Sequence, residues 1–122
     1  GLDRDAVQST DVDEISPPHG LMTVIRLDGR PVGCGCLKIS DPDVIDVKRM
    51  WLSPDVRGRG LGRGLLEHLV GEARSLGYER VRLDTNEALI EAIALYESSG
   101  FVAVERFNDD PHATHFFERA LD

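Results

Sequence analysis

Trp51-Leu52-Ser53-Pro54-Asp55-Val56-Arg57-Gly58-Arg59-Gly60-Leu61-Gly62-Arg63-Gly64 is the stretch whose reading decides the fold. Its four glycines and three arginines follow an apolar run, Val44 to Leu52, that reads as a strand. They precede Leu61, Leu65, Leu66, Leu69, Val70, Ala73 and Leu76, which fall on one face of a helix ending at Gly77. Glycines without a Cβ let backbone N–H groups turn outward and let a ligand come close. The start of the helix adds its positive end, so the element suits an anion such as a phosphate or pyrophosphate. Between Lys48 and Arg63 there are five basic residues and one acid, a local charge of +4 in a chain whose net charge is −8. A basic cradle in an acidic protein points to one small anionic ligand rather than to a polyanion.

Upstream of this stretch, Met22 to Leu27 alternates, Asp28-Gly29 marks a tight turn, and Val32 to Ile39 returns as a second strand. Gly33 and Gly35 share one face of that strand, where a neighbour or a ligand can approach. Asp41-Pro42 turns the chain into the third strand, Val44 to Leu52. Downstream, Val81 to Thr85 is a short strand. Ala88 to Ser98 is a helix with Leu89, Ile93 and Tyr96 on one face, stopped by Gly100. Phe101 to Phe107 and Thr114 to Arg119 are two final strands joined by the polar loop Asn108 to His112. The order β-β-β-α-β-α-β-β predicts an α/β (α+β) domain over residues 21–122, a mixed and mostly antiparallel sheet flanked by helices. Residues 1–20 carry five acids against one arginine and contain Pro17-Pro18, and they read as an acidic arm or linker.

Composition narrows the function. The 122 residues suffice for one domain with a real core, and 41% hydrophobic with 30% charged residues is ordinary globular usage. The apolar runs are too short for a membrane span, and the net charge of −8 argues against nucleic acid or an anionic bilayer as partner. An Arg-Gly element that binds RNA is disfavoured for the same reason. Cys34 and Cys36 lie two apart on one strand, where a disulfide is awkward. Free thiols in a reducing, cytoplasmic setting are therefore expected.

Three glycine-loop readings compete. A Walker loop needs Gly-Lys-Ser/Thr at its end, and Gly62-Arg63-Gly64 offers neither group. A dinucleotide fingerprint needs a third glycine where Arg63 stands, and it does not follow three antiparallel strands. Arg57-x-x-Gly60-x-Gly62 resembles the coenzyme A loop of the GNAT superfamily of N-acetyltransferases, Arg/Gln-x-x-Gly-x-Gly/Ala. Ala94-Leu95-Tyr96-Glu97-Ser98-Ser99-Gly100-Phe101 is similar to the family's second helix motif, and Leu83-Asp84-Thr85-Asn86 to the strand end before it. The likeness runs over about residues 21 to 120. Family members usually begin with a strand and one or two helices that wall the acceptor site; here these are expected to be short or missing.

The resemblance implies an acetyl-CoA-dependent acyltransferase that passes the acetyl group to a primary amine by direct attack in a ternary complex. It implies that Arg57, Gly58, Arg59, Gly60, Leu61, Gly62 and Arg63 bind the pyrophosphate, largely through backbone N–H groups. Met50, Trp51 and Leu52 would lie along the pantetheine arm, and Asn86 would contact the coenzyme. Tyr96 is the expected general acid for the departing thiolate, since a phenol of pKa near ~10 holds its proton at neutral pH. A half-buried tyrosine merely packed in the helix is the plainer alternative. Asp46, on one strand face with Lys48 and Met50, is the expected base, with a surface carboxylate as the plainer alternative. Acids of the arm and of the 108–110 loop would attract a cationic acceptor. His112 and His115 with Asp109 and Asp110 match no tight ligand spacing, so no metal is expected. Cys34 and Cys36 have no evident base and are expected to pack rather than react. A module that binds the coenzyme for sensing or regulation without turnover stays open, as does a homodimer that completes the acceptor site.

Overall fold

The computed structural model describes residues 20–56 and 60–121. Among them the chain forms β1 (Gly20–Leu27), β2 (Arg30–Asp41), β3 (Val44–Leu52), α1 (Leu61–Ser75), β4 (Arg80–Thr85), α2 (Ile90–Ser98), β5 (Val102–Ala103) and β6 (His115–Ala120). A single 3-10 turn, Pro54–Val56, follows β3. The strands make one sheet in the order β1-β2-β3-β4-β6-β5. Every neighbouring pair is antiparallel except β3 and β4. A parallel pair needs a crossover, and α1 supplies it. The expected mixed, mostly antiparallel sheet with helices is therefore what forms. The predicted arm, residues 1–20, lies outside the described residues up to Gly20, which opens β1.

Alternation decides which strand residues meet the helices. Leu37, Ile45, Val47, Val81, Leu83 and Phe117 point to one face and pack against Leu65, Leu66, Leu69, Val70 and Ala73 of α1 and Tyr96 of α2. Leu66, Leu69, Val70 and Ala73 are fully buried, as the helical spacing requires. On the other face of the central strands the residues are charged. Lys38, Asp46, Arg82 and Glu118 stand opposite one another across β2, β3, β4 and β6. Met22 and Cys36 are buried on that face as a separate small cluster.

The feature that shapes the rest is an irregularity in β3. Cys34 pairs with Trp51 and Cys36 with Lys48, so Gly35 alone stands opposite both Arg49 and Met50. This is a β-bulge, and Arg49 takes a left-handed φ of 53° within it. A bulge increases local twist and bends its strand. β3 accordingly pairs with β4 only over Val44↔Arg80, Ile45↔Val81 and Asp46↔Arg82, after which the two strands part. Gly35 is needed at the bulge because α1 comes down directly onto it. A Cβ there would lie 2.7 Å from Leu69 Cδ1.

One expected element is much shorter than the sequence suggests. Phe101 to Phe107 reads as a strand, yet only Val102 and Ala103 form ladder pairs, with the Val104 N–H reaching the Phe116 carbonyl beyond them. Arg106 accounts for the difference. Its guanidinium donates to the carbonyls of Asn108, Asp110 and Ala113 and lies over the Phe116 ring, which gathers the chain into a loop. The second helix also starts two residues late, at Ile90. The Asn86 side chain accepts the Ala88 N–H, and the Leu89 N–H bonds the Asn86 carbonyl, which makes a turn first.

Because Leu69 is fully buried and cannot swing away, Gly35→Ala is expected to cost ~1–3 kcal/mol of stability through overpacking. Equilibrium urea unfolding of parent and variant measures it.

Candidate active site

Where β3 and β4 part, the structure opens a cleft of about 270 Å³. Lys48, Met50, Asp84, Asn86, Tyr96 and His112 are among its walls. Beyond Asp46, β3 has no strand partner on the β4 side, so its backbone is available there to an extended ligand. Tyr96 reaches the cleft from α2. Its ring is held between Phe101 and Phe117, at centroid distances of 6.2 and 6.0 Å, and the residue is only 7% exposed. Burial raises its pKa above the ordinary 10, and the nearby charge of Asp84 adds to the rise. The phenol is therefore fully protonated at neutral pH. Its hydroxyl has no protein hydrogen bond among the described residues, which leaves the proton free to be given to a ligand.

The helix start that follows β3 has the character of an anion site. Gly60 caps α1 with φ 77°, a conformation suited to glycine, and provides no side-chain cap. The Gly64 N–H is the first to find its helical acceptor, the Gly60 carbonyl. The N–H groups of Leu61, Gly62 and Arg63 precede it and have no acceptor within the helix. They point along the axis, with the helix dipole behind them. A Cβ on Gly62 would stand 3.3 Å from Leu52 Cδ1, so the end of β3 and the start of α1 are packed closely. These bare amides fit the pyrophosphate that the sequence resemblance implies. Arg57, Gly58 and Arg59, expected at the same ligand, lie outside the described residues.

Several expected residues stand in other surroundings. Asp46 is buried and does not line the cleft. Its Oδ1 accepts Arg82 Nε at 3.1 Å, and Arg82 goes on to Ser40 Oγ at 2.6 Å and stacks over Phe107 at 4.2 Å. The parallel register brings this cation opposite Asp46, so the carboxylate is committed to the sheet rather than turned toward an amine. The Arg63 side chain is likewise engaged. It donates to Ser98 Oγ and Ser99 Oγ at 2.7 and 3.0 Å and ties α1 to the end of α2, leaving its backbone N–H for an anion. Asn86 lines the cleft, but its amide is used on both sides, donating to the His112 carbonyl and accepting the Ala88 N–H. Met50 lines the cleft and packs on the core. Trp51 is 48% exposed and takes no part in the core.

A carboxylate that does face the cleft is Asp84, which the sequence offered only as part of a strand-end motif. Asn108 Nδ2 donates to its Oδ2 at 2.7 Å, and Lys48 Nζ lies 3.3 Å from the same oxygen. Strand alternation from the apolar Leu83 was the available signal, since it turns Asp84 to the charged face. Asp110 and His112 of the 108–112 loop complete that side. His115 does not join His112. Thr114 Oγ1 holds its Nδ1 at 2.9 Å and its ring stacks on Phe117. Among the described residues no three metal-binding side chains come together. Cys34 and Cys36 are free and buried. Burial pushes the Cys36 thiol up to about 11 and raises that of Cys34, so neither is a thiolate at neutral pH.

Comparison with known proteins agrees with this arrangement. The sequence profile of the acetyltransferase (GNAT) family matches residues 3–101. The chain belongs to the GNAT family. An N-acetyltransferase of Schizosaccharomyces pombe, uncharacterised beyond that class, is 35% identical over 98 residues, 78% of this chain and 60% of its own length. A crystal structure from Klebsiella pneumoniae, provisionally assigned as an acyl-CoA N-acyltransferase, has 32% identity and a TM-score of 0.83 over 97% of this chain and 84% of its own. A GNAT acetyltransferase of Elizabethkingia anophelis with acetyl-CoA bound shares the fold at 16% identity, with a TM-score of 0.75 over 90% of this chain and 81% of its own. The matched stretch spans between 56% and 60% of the length of four curated relatives. Among the described residues no helix of this GNAT domain is long and apolar enough to cross a membrane.

Removing the charge of Asp46 would leave the part-buried Arg82 guanidinium without its anion. Asp46→Asn is expected to destabilise the domain by ~1–3 kcal/mol, the range for a lost hydrogen bond to a charged group. Its thermal midpoint should drop while coenzyme affinity of the folded protein stays close to the parent's, as calorimetry on folded samples would record.

Proposed function

We propose that this GNAT domain transfers the acetyl group of acetyl-CoA to a primary amine, by direct attack in a ternary complex. The observation that carries the reading is the cleft between the parted strands. A protonated, unpartnered phenol and a carboxylate line one opening, and bare helix-start amides lie just beyond the end of β3. The relatives named as N-acetyltransferases and the structural neighbour with acetyl-CoA support the same class.

In this reading the N–H groups of Leu61, Gly62 and Arg63 receive the pyrophosphate, and the open edge of β3 past Asp46 pairs with the amides of the pantetheine arm. A backbone N–H on that edge polarises the thioester carbonyl and stabilises the oxyanion as the amine attacks. An alkylamine is mostly protonated at neutral pH and must lose a proton first. Asp84, rather than the buried Asp46, takes that proton, directly or through water. Tyr96 gives its own to the departing thiolate. Asp110, on the cleft wall, favours a cationic acceptor. A cytoplasmic setting suits the two buried free thiols, and a second copy of the chain completes the acceptor side.

Two substitutions test this, read by calorimetry with acetyl-CoA and by thiol release over an amine panel. Gly60→Glu adds a Cβ at a left-handed φ and a like charge at the anion site. It should weaken acetyl-CoA binding by ~2 kcal/mol or more, about thirtyfold. Tyr96→Phe keeps the ring and its packing, so binding and thermal midpoint should hold while kcat falls ~100-fold. The raised Tyr96 pKa carries a sign: the acid form is lost only as pH climbs above 10, so kcat should not decline on the alkaline side below that point. A Tyr96→Phe protein with the parent's rate would remove the acid role. Binding without thiol release over the whole panel would leave a coenzyme-binding module in place of an enzyme.

A further inference from the structure

Lys48 is the one lysine on the wall of the cleft. Its Nζ reaches across the parted strands to within 3.3 Å of Asp84 Oδ2. The side chain is 33% exposed, so the group is reachable from the opening. Of the 14 Lys and Arg residues in the chain only two are lysines, Lys38 and Lys48. Either cation would serve to staple β3 to β4 by charge. Arginine cannot lose its proton in a protein, whereas lysine can become a neutral amine and attack. Asn108 holds the same Asp84 oxygen at 2.7 Å, so the carboxylate is fixed beside the ammonium.

We infer that Lys48 is itself an acetyl acceptor, so that the chain modifies its own cleft in cis when acetyl-CoA is present and no external amine displaces the side chain. The inference rests on the acetyl-transfer reading above. The Lys48 Nζ, once neutral, forms a bond to the acetyl carbonyl carbon and the carbon–sulfur bond breaks, with its electron pair leaving on sulfur. Tyr96 protonates that thiolate. Of the two protons the ammonium gives up, one passes through Asp84 to solvent and the other restores Tyr96. The products are Nε-acetyl-Lys48 and the free coenzyme thiol. The new acetamide carries no charge, so Asp84 is released from its ion pair and becomes available to an incoming alkylammonium.

The test is incubation of the purified chain with acetyl-CoA and no acceptor, followed by intact mass and peptide mapping. One acetyl group per chain is expected, on Lys48. Lys38, on the same strand face of the sheet but not on the cleft wall, serves as internal reference and should react at least about tenfold more slowly. The rate should not change with protein concentration, and Tyr96→Phe should slow it ~100-fold. Lys48→Arg should remain unmodified while binding acetyl-CoA, and an external primary amine in excess should slow the labelling of Lys48 in the parent. Equal labelling of Lys38 and Lys48 would mean solution chemistry and would overturn the inference. So would an unmodified Lys48 in a chain that binds acetyl-CoA and acetylates external amines; the ion pair would then be a strand staple, and the transferase reading would stand. A folded chain that does not bind acetyl-CoA would take both readings down.

Discussion

Two parallel strands that stop pairing after three residues are the constraint on which this molecule depends. β3 and β4 begin as neighbours, and the bulge at Arg49 and Met50 turns β3 away before the ladder can continue. The side chains proposed to act on substrate sit in the gap. The backbone edge, Tyr96, Asp84 and Lys48 all face an opening that a regular sheet would have closed with hydrogen bonds. A left-handed Arg49 is unfavourable by ~1 kcal/mol, and the sheet tolerates it because β2 and α1 fix the strand on both sides.

The two faces of the sheet divide the labour. One is apolar and carries both helices, and it sets the position of Tyr96 through its contacts with Phe101 and Phe117. The other carries a ladder of alternating charge in which Asp46 and Arg82 are tightly paired. The cleft lies where the two environments meet. A phenol held in an apolar wall keeps its proton. Asp84, the proposed base, stands on the charged side beside Lys48.

Much of this was legible in the chain because the signals are local. Gly60 and its neighbours between a strand and a periodic helix, the face of α2 that holds Tyr96, and the strand-turn-strand spacing of the first three strands all act over a few residues. The misread features are non-local. Asp46 and Asp84 both look like strand carboxylates, and only the parallel register opposite Arg82, 36 residues away, separates the buried partner from the one at the cleft. The extent of β5 was misjudged for a related reason. Its apolar alternation is genuine, but Arg106 finds three carbonyls in the loop that follows, and no strand pattern announces that. Trp51 shows the limit of hydropathy, since a large aromatic at a strand end is half exposed.

The same Arg106 has a consequence for the molecule in a crowded solution. β5 is the last strand of the sheet, and Val102 and Val104 are exposed along it. A full-length strand from Phe101 to Phe107 would present a long, flat, apolar border with unpaired amides, the kind of template that recruits a second sheet. By folding residues 106–113 back onto Phe116, the guanidinium cuts that border to two paired residues, and the remaining aromatic, Phe107, packs against Phe116 and Arg82. The side chain that holds one wall of the cleft, through the Asp110 and Ala113 carbonyls, thus also shortens an exposed edge of the sheet.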